Sequence, residues 1–157
     1  AEMLVAVAIL LILSTIGLSG FIFSIAKSRD TRRKSDLATI SKAIQAFAND
    51  FGSYPLAAGG KLVACDYNNA GLIACNWGQP MAAFVNGRSV TYLGETPADP
   101  GGGQNYYYEA SANGSTFSLF AALENDKDQS YRTDLTQVCG SGVTCNYQVT
   151  DSGVSLE

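Results

Sequence analysis

MLVAVAILLILSTIGLSGFIFSIA, residues 3–26, contains no charged side chain, and the KSRDTRRKSD that follows at 27–36 is mostly charged. An uncharged run of this length exceeds the ~20 residues a helix needs to cross a bilayer and outlasts the ~7–15 of a signal-peptide core. It reads as a helix apolar on every side, which needs lipid or neighbouring copies of itself to cover it. The run opens almost at residue 1 without a basic leader, which implies a processed or incomplete start. Glu2 is the one carboxylate at its edge. Two readings of Glu2 stand side by side: a group snorkelling at a membrane surface, or a charge kept for a partner, since mid-membrane burial costs ~3 kcal/mol or more.

The segment beyond Ala26 decides how far the helix runs. Leu37, Ile40, Ile44, Phe47 and Phe51 recur at alternating spacings of 3 and 4, which stacks them on one helical face, while Asp36, Lys42, Gln45 and Asn49 occupy the other. Gly52 suits a C-cap and Pro55 a stop, so one helix is expected from about residue 2 to 51, some ~75 Å long at ~1.5 Å per residue. After Pro55 the period changes to alternation. Tyr106 and Tyr108 share one strand face, Phe117, Leu119, Ala121 and Leu123 share another, and Cys145 to Val149 supplies a third strand. Residues 56–103, rich in Gly and Asn, read as a loop region with short apolar runs.

The chain thus reads as α+β: a long N-terminal α-helix with an apolar first half, packed by its second half on a small antiparallel β-sheet. Its expected divisions are 1–26, the apolar half of the helix; 27–52, the amphipathic half; and 53–157, a globular β head with variable loops. No interdomain linker separates them.

Composition narrows the chemistry. The 157 residues carry a net charge of -4 and no histidine. The charge provides no broad field for nucleic acid, and the missing histidine removes the commonest general base and metal ligand. No phosphate-binding glycine loop follows a strand, so an enzyme is not expected. The four cysteines, Cys65, Cys75, Cys139 and Cys145, form two sequence-local pairs in the polar head, which favours an oxidising compartment and two pinned loops. Lys27, Arg29, Arg32, Arg33 and Lys34 argue the other way, because the positive-inside rule would hold their side in the cytoplasm. The cysteines outweigh them, since only Asp30 and Asp36 dilute the cluster and a removed leader accounts for competing charge.

The apolar run with its early glutamate, continuing into a helix that ends "AFANDFGSYP" at 46–55, resembles the type IV pilins and the pseudopilins of type II secretion. The resemblance extends to "YLGETPADPGGGQNYYYEA" at 92–110 and "STFSLFAALEND" at 115–126. It implies a pilin-like fold and a structural subunit of an extracellular type IV pilus filament, serving attachment, surface motility or DNA uptake. The implied partners are other copies of itself in a helical homopolymer and the pilus assembly machinery. The implied location is the cell surface, with residence in the inner or cytoplasmic membrane before assembly.

The resemblance also assigns Glu2 an assembly role, meeting the N-terminal amine of a neighbouring subunit. The chain departs from the family in lacking its aromatic N-terminal residue and its helix proline. Gly17 and Gly20 lie nearby and each weakens a helix interior by ~1 kcal/mol, suited either to local melting in a filament or to close helix packing. Glu124, Asp126, Asp128 and Asp134 surround a loop after the second strand. They suit either a calcium site, as in pseudopilins, or a solvated acidic loop; no other cofactor is expected. Tyr106, Tyr107 and Tyr108 suit ligand stacking or, more ordinarily, strand packing. Two alternatives to the pilin remain: a pseudopilin of a type II secretion system and a monomeric membrane-anchored binding ectodomain.

Overall fold

The computed structural model describes residues 2–155, and within the helix it describes side chains outside 15–22. Helix α1, Glu2–Phe51, opens the chain. Its second half buries the expected stripe: Leu37, Ile40, Ala43, Ile44 and Phe47 all enter the core. Phe51, the last member, stays partly exposed and stacks on Phe47 with ring centroids 4.1 Å apart. Gly52 ends the helix at φ 78°, and its N–H donates to the Ala48 carbonyl at 2.8 Å. That left-handed C-cap is why glycine stands there.

Among the described residues nine strands follow, in three antiparallel sheets. The first has the order β1 (Leu56–Ala58), β2 (Lys61–Cys65), β3 (Ile73–Ala74). The second is the hairpin of β4 (Met81–Val85) and β5 (Arg88–Leu93), joined by Asn86-Gly87 at φ 50° and 77°. Two positive φ values in a two-residue loop match the right-handed twist of the strands, a conformation Asn-Gly tolerates best. The third sheet runs β6 (Tyr107–Ala110), β7 (Phe117–Ala121), β8 (Tyr147–Thr150), β9 (Gly153–Val154). Single backbone hydrogen bonds suture the sheets. Tyr108 N–H donates to Gly60 O at 2.9 Å, and Asp66 N–H to Ala82 O at 2.8 Å.

The main core lies between the helix stripe and the inner faces of the sheets, with Tyr108, Phe117, Leu119, Tyr147 and Leu62 buried against it. Alternation along β7 sends Phe120 to the opposite face, where it joins Ala122, Cys139 and Cys145 in a second, smaller core.

This architecture corrects the pilin-like fold expected from the sequence on two counts. The single small sheet is replaced by three sheets, because 56–103 is not a loop region: it supplies five short strands whose Ala-rich stretches, such as MAAFV, carry little alternation. The membrane-length apolar rod is not found either. Among the described residues no helix is long and apolar enough to cross a membrane. The described apolar stretch, 2–14, is shorter than the ~20 residues a bilayer requires, and the helix from 23 onward soon carries the charge cluster.

Candidate assembly surface and the joint behind it

Three of the cations that follow the apolar run, Arg29, Arg33 and Lys34, are joined to the head. Arg33, 0% exposed, is the centre of this joint. Its Nε and Nη2 donate to the two carboxylate oxygens of Asp99 at 2.9 and 3.0 Å, a bidentate fork that a guanidinium fits and an ammonium does not. Nη1 reaches Asp30 Oδ1 and Glu124 Oε1, both at 2.8 Å, and Nη2 also reaches Gln104 Oε1 at 2.6 Å. A Cβ on Gly101 would meet Arg33 Nη2 at 2.7 Å, so a residue without a side chain lets the loop close over the guanidinium. Burial alone would lower the Arg33 pKa, but the hydrogen bonds to Asp99, Glu124 and Asp30 outweigh it, and the group is held charged.

Further contacts spread the joint along α1. Asp30 accepts the backbone N–H groups of Glu124 and Asn125, both at 2.9 Å to its nearer oxygen. Arg29 pairs with Glu124, and Lys34 Nζ donates to Asp128 Oδ1 at 2.6 Å. One turn further on, the buried Tyr106 hydroxyl donates to Asp36 Oδ2 at 2.7 Å. Burial, then this bond to a carboxylate, pushes the phenol pKa up.

The acidic loop is therefore largely occupied by protein cations. Glu124 faces Arg29 and Arg33, Asp128 faces Lys34, and Asp134 pairs with Arg132, whereas Asp126 has no partner among the contacts described. Among the described residues no three His, Cys, Asp or Glu side chains are grouped to hold a metal ion. The hydrogen bond from Arg29, followed by that from Arg33, holds the Glu124 carboxyl below the usual carboxylate range. Burial would raise Asp128, yet Lys34 brings it down, and Arg132 does the same for Asp134.

On the other side of the joint, residues 2–14 of the helix lie exposed. Met3 is 84% exposed, Leu4 77%, and Val5, Val7 and Ile9 to Leu13 are each more than half exposed. Glu2, also exposed, lies in the first turn, where a carboxylate complements the helix dipole. A soluble monomer rarely presents so continuous an apolar surface. Gly17 and Gly20 lie outside the described side chains.

Both local disulfides are formed. Cys65 bonds Cys75 with Cα atoms 5.2 Å apart, and Cys139 bonds Cys145 at 5.1 Å. Among the described residues no cysteine is free, which places the head in an oxidising extracellular or periplasmic environment. Sequence reasoning missed the joint. In the sequence Arg33 reads as one cation in a run, and Asp99 falls within the loop region 56–103; the signal available was a surplus of carboxylates in the head matching a surplus of cations on the helix. No family model, curated protein or solved structure matches the chain.

Proposed function

We propose that this chain is a structural subunit of an extracellular filament of the type IV pilus kind, in which neighbouring copies cover the segment 2–14. The observation that carries the reading is the all-round exposure of that segment in a chain whose head is oxidised and whose helix is joined to the head from Arg29 onward. Burying each large apolar side chain contributes ~1.5–3 kcal/mol, so packing several of them between copies outweighs much of the cost of association. In this reading the Glu2 carboxylate meets an amine of the next subunit. The joint transmits load: a pull on the apolar stretch reaches the head through buried ion pairs at Arg33 rather than through a loop. The role is mechanical, not catalytic, and the partners are other copies of the chain and the machinery that assembles them.

Negative-stain microscopy of material sheared from producing cells tests this. Filaments that disappear with Leu10→Ser and with Glu2→Ala are expected. Monodisperse, non-filamentous wild-type chain on the cell surface would overturn the reading, whereas normal filaments from Glu2→Ala alone would remove only the role of that carboxylate.

A further inference from the structure

A cleft of about 490 Å³ opens in the head, lined by the β1–β2 turn (Gly59, Gly60, Lys61), Asn76 and Trp77, Asn105 to Tyr107, and Val138 with Gly140. Its size falls within the range of small-ligand sites. The walls come from four separate stretches of chain, and each is fixed. Cys75 precedes Asn76 and Cys139 precedes Gly140, so both disulfides end at the cleft wall. Asn105 N–H donates to Cys139 O at 3.0 Å, tying two of the walls together. Two glycines are required by the fit: a Cβ on Gly60 would lie 2.5 Å from Tyr107 Cδ2, and one on Gly140 would lie 2.3 Å from the Gly103 carbonyl oxygen.

The groups these walls present are of two kinds. Trp77 is half-buried and stands edge-on to Tyr106, with ring centroids 5.9 Å apart at 90°. Tyr106 is in turn held on α1 by Asp36, so the indole rests on an anchored support. Tyr107, half-buried as well, leans on Phe120 at 6.2 Å. Beside these rings stand hydrogen-bonding groups with spare capacity. Lys61 Nζ donates once, to Asn76 Oδ1 at 2.8 Å, leaving two of its protons and the Asn76 amide N–H groups unspent. The Asn105 side chain is exposed and makes no described hydrogen bond. Lys61 is the one charged residue in the lining.

Half-exposed aromatic rings beside unspent amides and an ammonium suit a ligand with apolar C–H faces and a dense rim of hydroxyls. We propose that this cleft binds a saccharide, and that Lys61 selects sugars carrying a carboxylate. An aromatic ring covers the C–H face of a pyranose, while Asn76, Asn105 and Lys61 meet its oxygens. The site is independent of the filament reading: it works equally on a monomer.

Trp77 is the only tryptophan of the chain, so its fluorescence reports on the cleft directly. The full chain, held in a detergent without a sugar headgroup, is screened on an array of neutral and uronic-acid oligosaccharides, and the strongest binder of each type is titrated while tryptophan emission is followed. A saturable change is expected, with the uronic-acid sugar bound about tenfold more tightly. Lys61→Ala should remove that preference and leave neutral binding within about twofold. Tyr107→Ala should weaken both at least tenfold. Asn105→Ala, whose side chain has no described hydrogen bond, should weaken both several-fold with an unchanged melting curve, which keeps the test decisive if Tyr107→Ala fails to fold. An array with no binder, binding that Asn105→Ala leaves intact, or emission that responds to a proline-rich peptide and to no sugar would overturn the proposal. Equal affinity for the two sugars in wild type would overturn the assignment to Lys61.

Discussion

The segments 2–14 and 29–36 belong to one helix and reverse the usual relation between hydropathy and burial. The first has a single charged residue, Glu2, and its large side chains are exposed; the second is dense in charge and contains a wholly buried arginine. Apolar character creates a demand for burial, but whether the demand is met within the chain depends on what the fold brings alongside. A charge is buried at tolerable cost only where the fold delivers opposite charge in the right geometry. The head delivers Asp99 and Glu124 to Arg33 and delivers nothing to Leu10.

The sharpest way to break that contrast is Arg33→Ala. Removing it leaves Asp30 and Asp99 without their shared cation in a buried site, and a loss of about 3–5 kcal/mol is expected in urea unfolding of the full chain. Arg33→Lys should recover only part of it, because one ammonium cannot replace the fork onto Asp99. A stability within 1 kcal/mol of wild type for Arg33→Ala would show that the joint is not what holds helix and head together.

Acid should act on the same joint more gradually. Glu124 and Asp128 have folded pKa values below their ordinary 4.5 and 3.8, so each binds a proton more readily in the unfolded chain. Their stabilisation is fully present above the ordinary values and is lost as pH falls through the depressed ones. The urea midpoint should therefore stay nearly level from pH 7 to about 5 and then decline. Glu124→Gln should flatten the decline. A midpoint that rises on acidification would contradict the assignment.

Tyr106→Phe is a smaller perturbation, since it deletes one hydrogen bond to a partly accessible carboxylate. The expected cost is about 1.5 kcal/mol. The smallest effect sharpens the other side of the contrast. Leu10→Ser alters a side chain with no packing against the head, so unfolding of the head should move by less than about 0.5 kcal/mol. A larger shift would mean that 2–14 does pack on the head in solution.

Much of the molecule was legible in one dimension wherever a feature depends on neighbours in sequence. The stripe Leu37, Ile40, Ile44 and Phe47 follows from helical period, the Gly52 cap from glycine's access to positive φ, the inward faces of β6 and β7 from alternation, and both disulfides from short loops. Phe51 escaped the stripe because the helix ends beneath it. The strands of 56–93 escaped because alanine and glycine carry little amphipathic contrast, although Asn86-Gly87 was a hairpin signal in plain view.

What sequence alone determined, then, is local: period, caps, turn chemistry, oxidised cysteines, and an apolar segment in need of a cover. Tertiary structure decided what long-range proximity controls. It brought Asp99 and Gln104 to Arg33 across 66 and 71 residues, set Glu124 and Asp128 against cations of the helix, and gathered Trp77, Asn105 and Tyr107 at one cleft. The physical reason is that a charge or a ring shows its type in sequence, whereas its energy is set by the dielectric and the partners around it, and those exist only once the chain has folded.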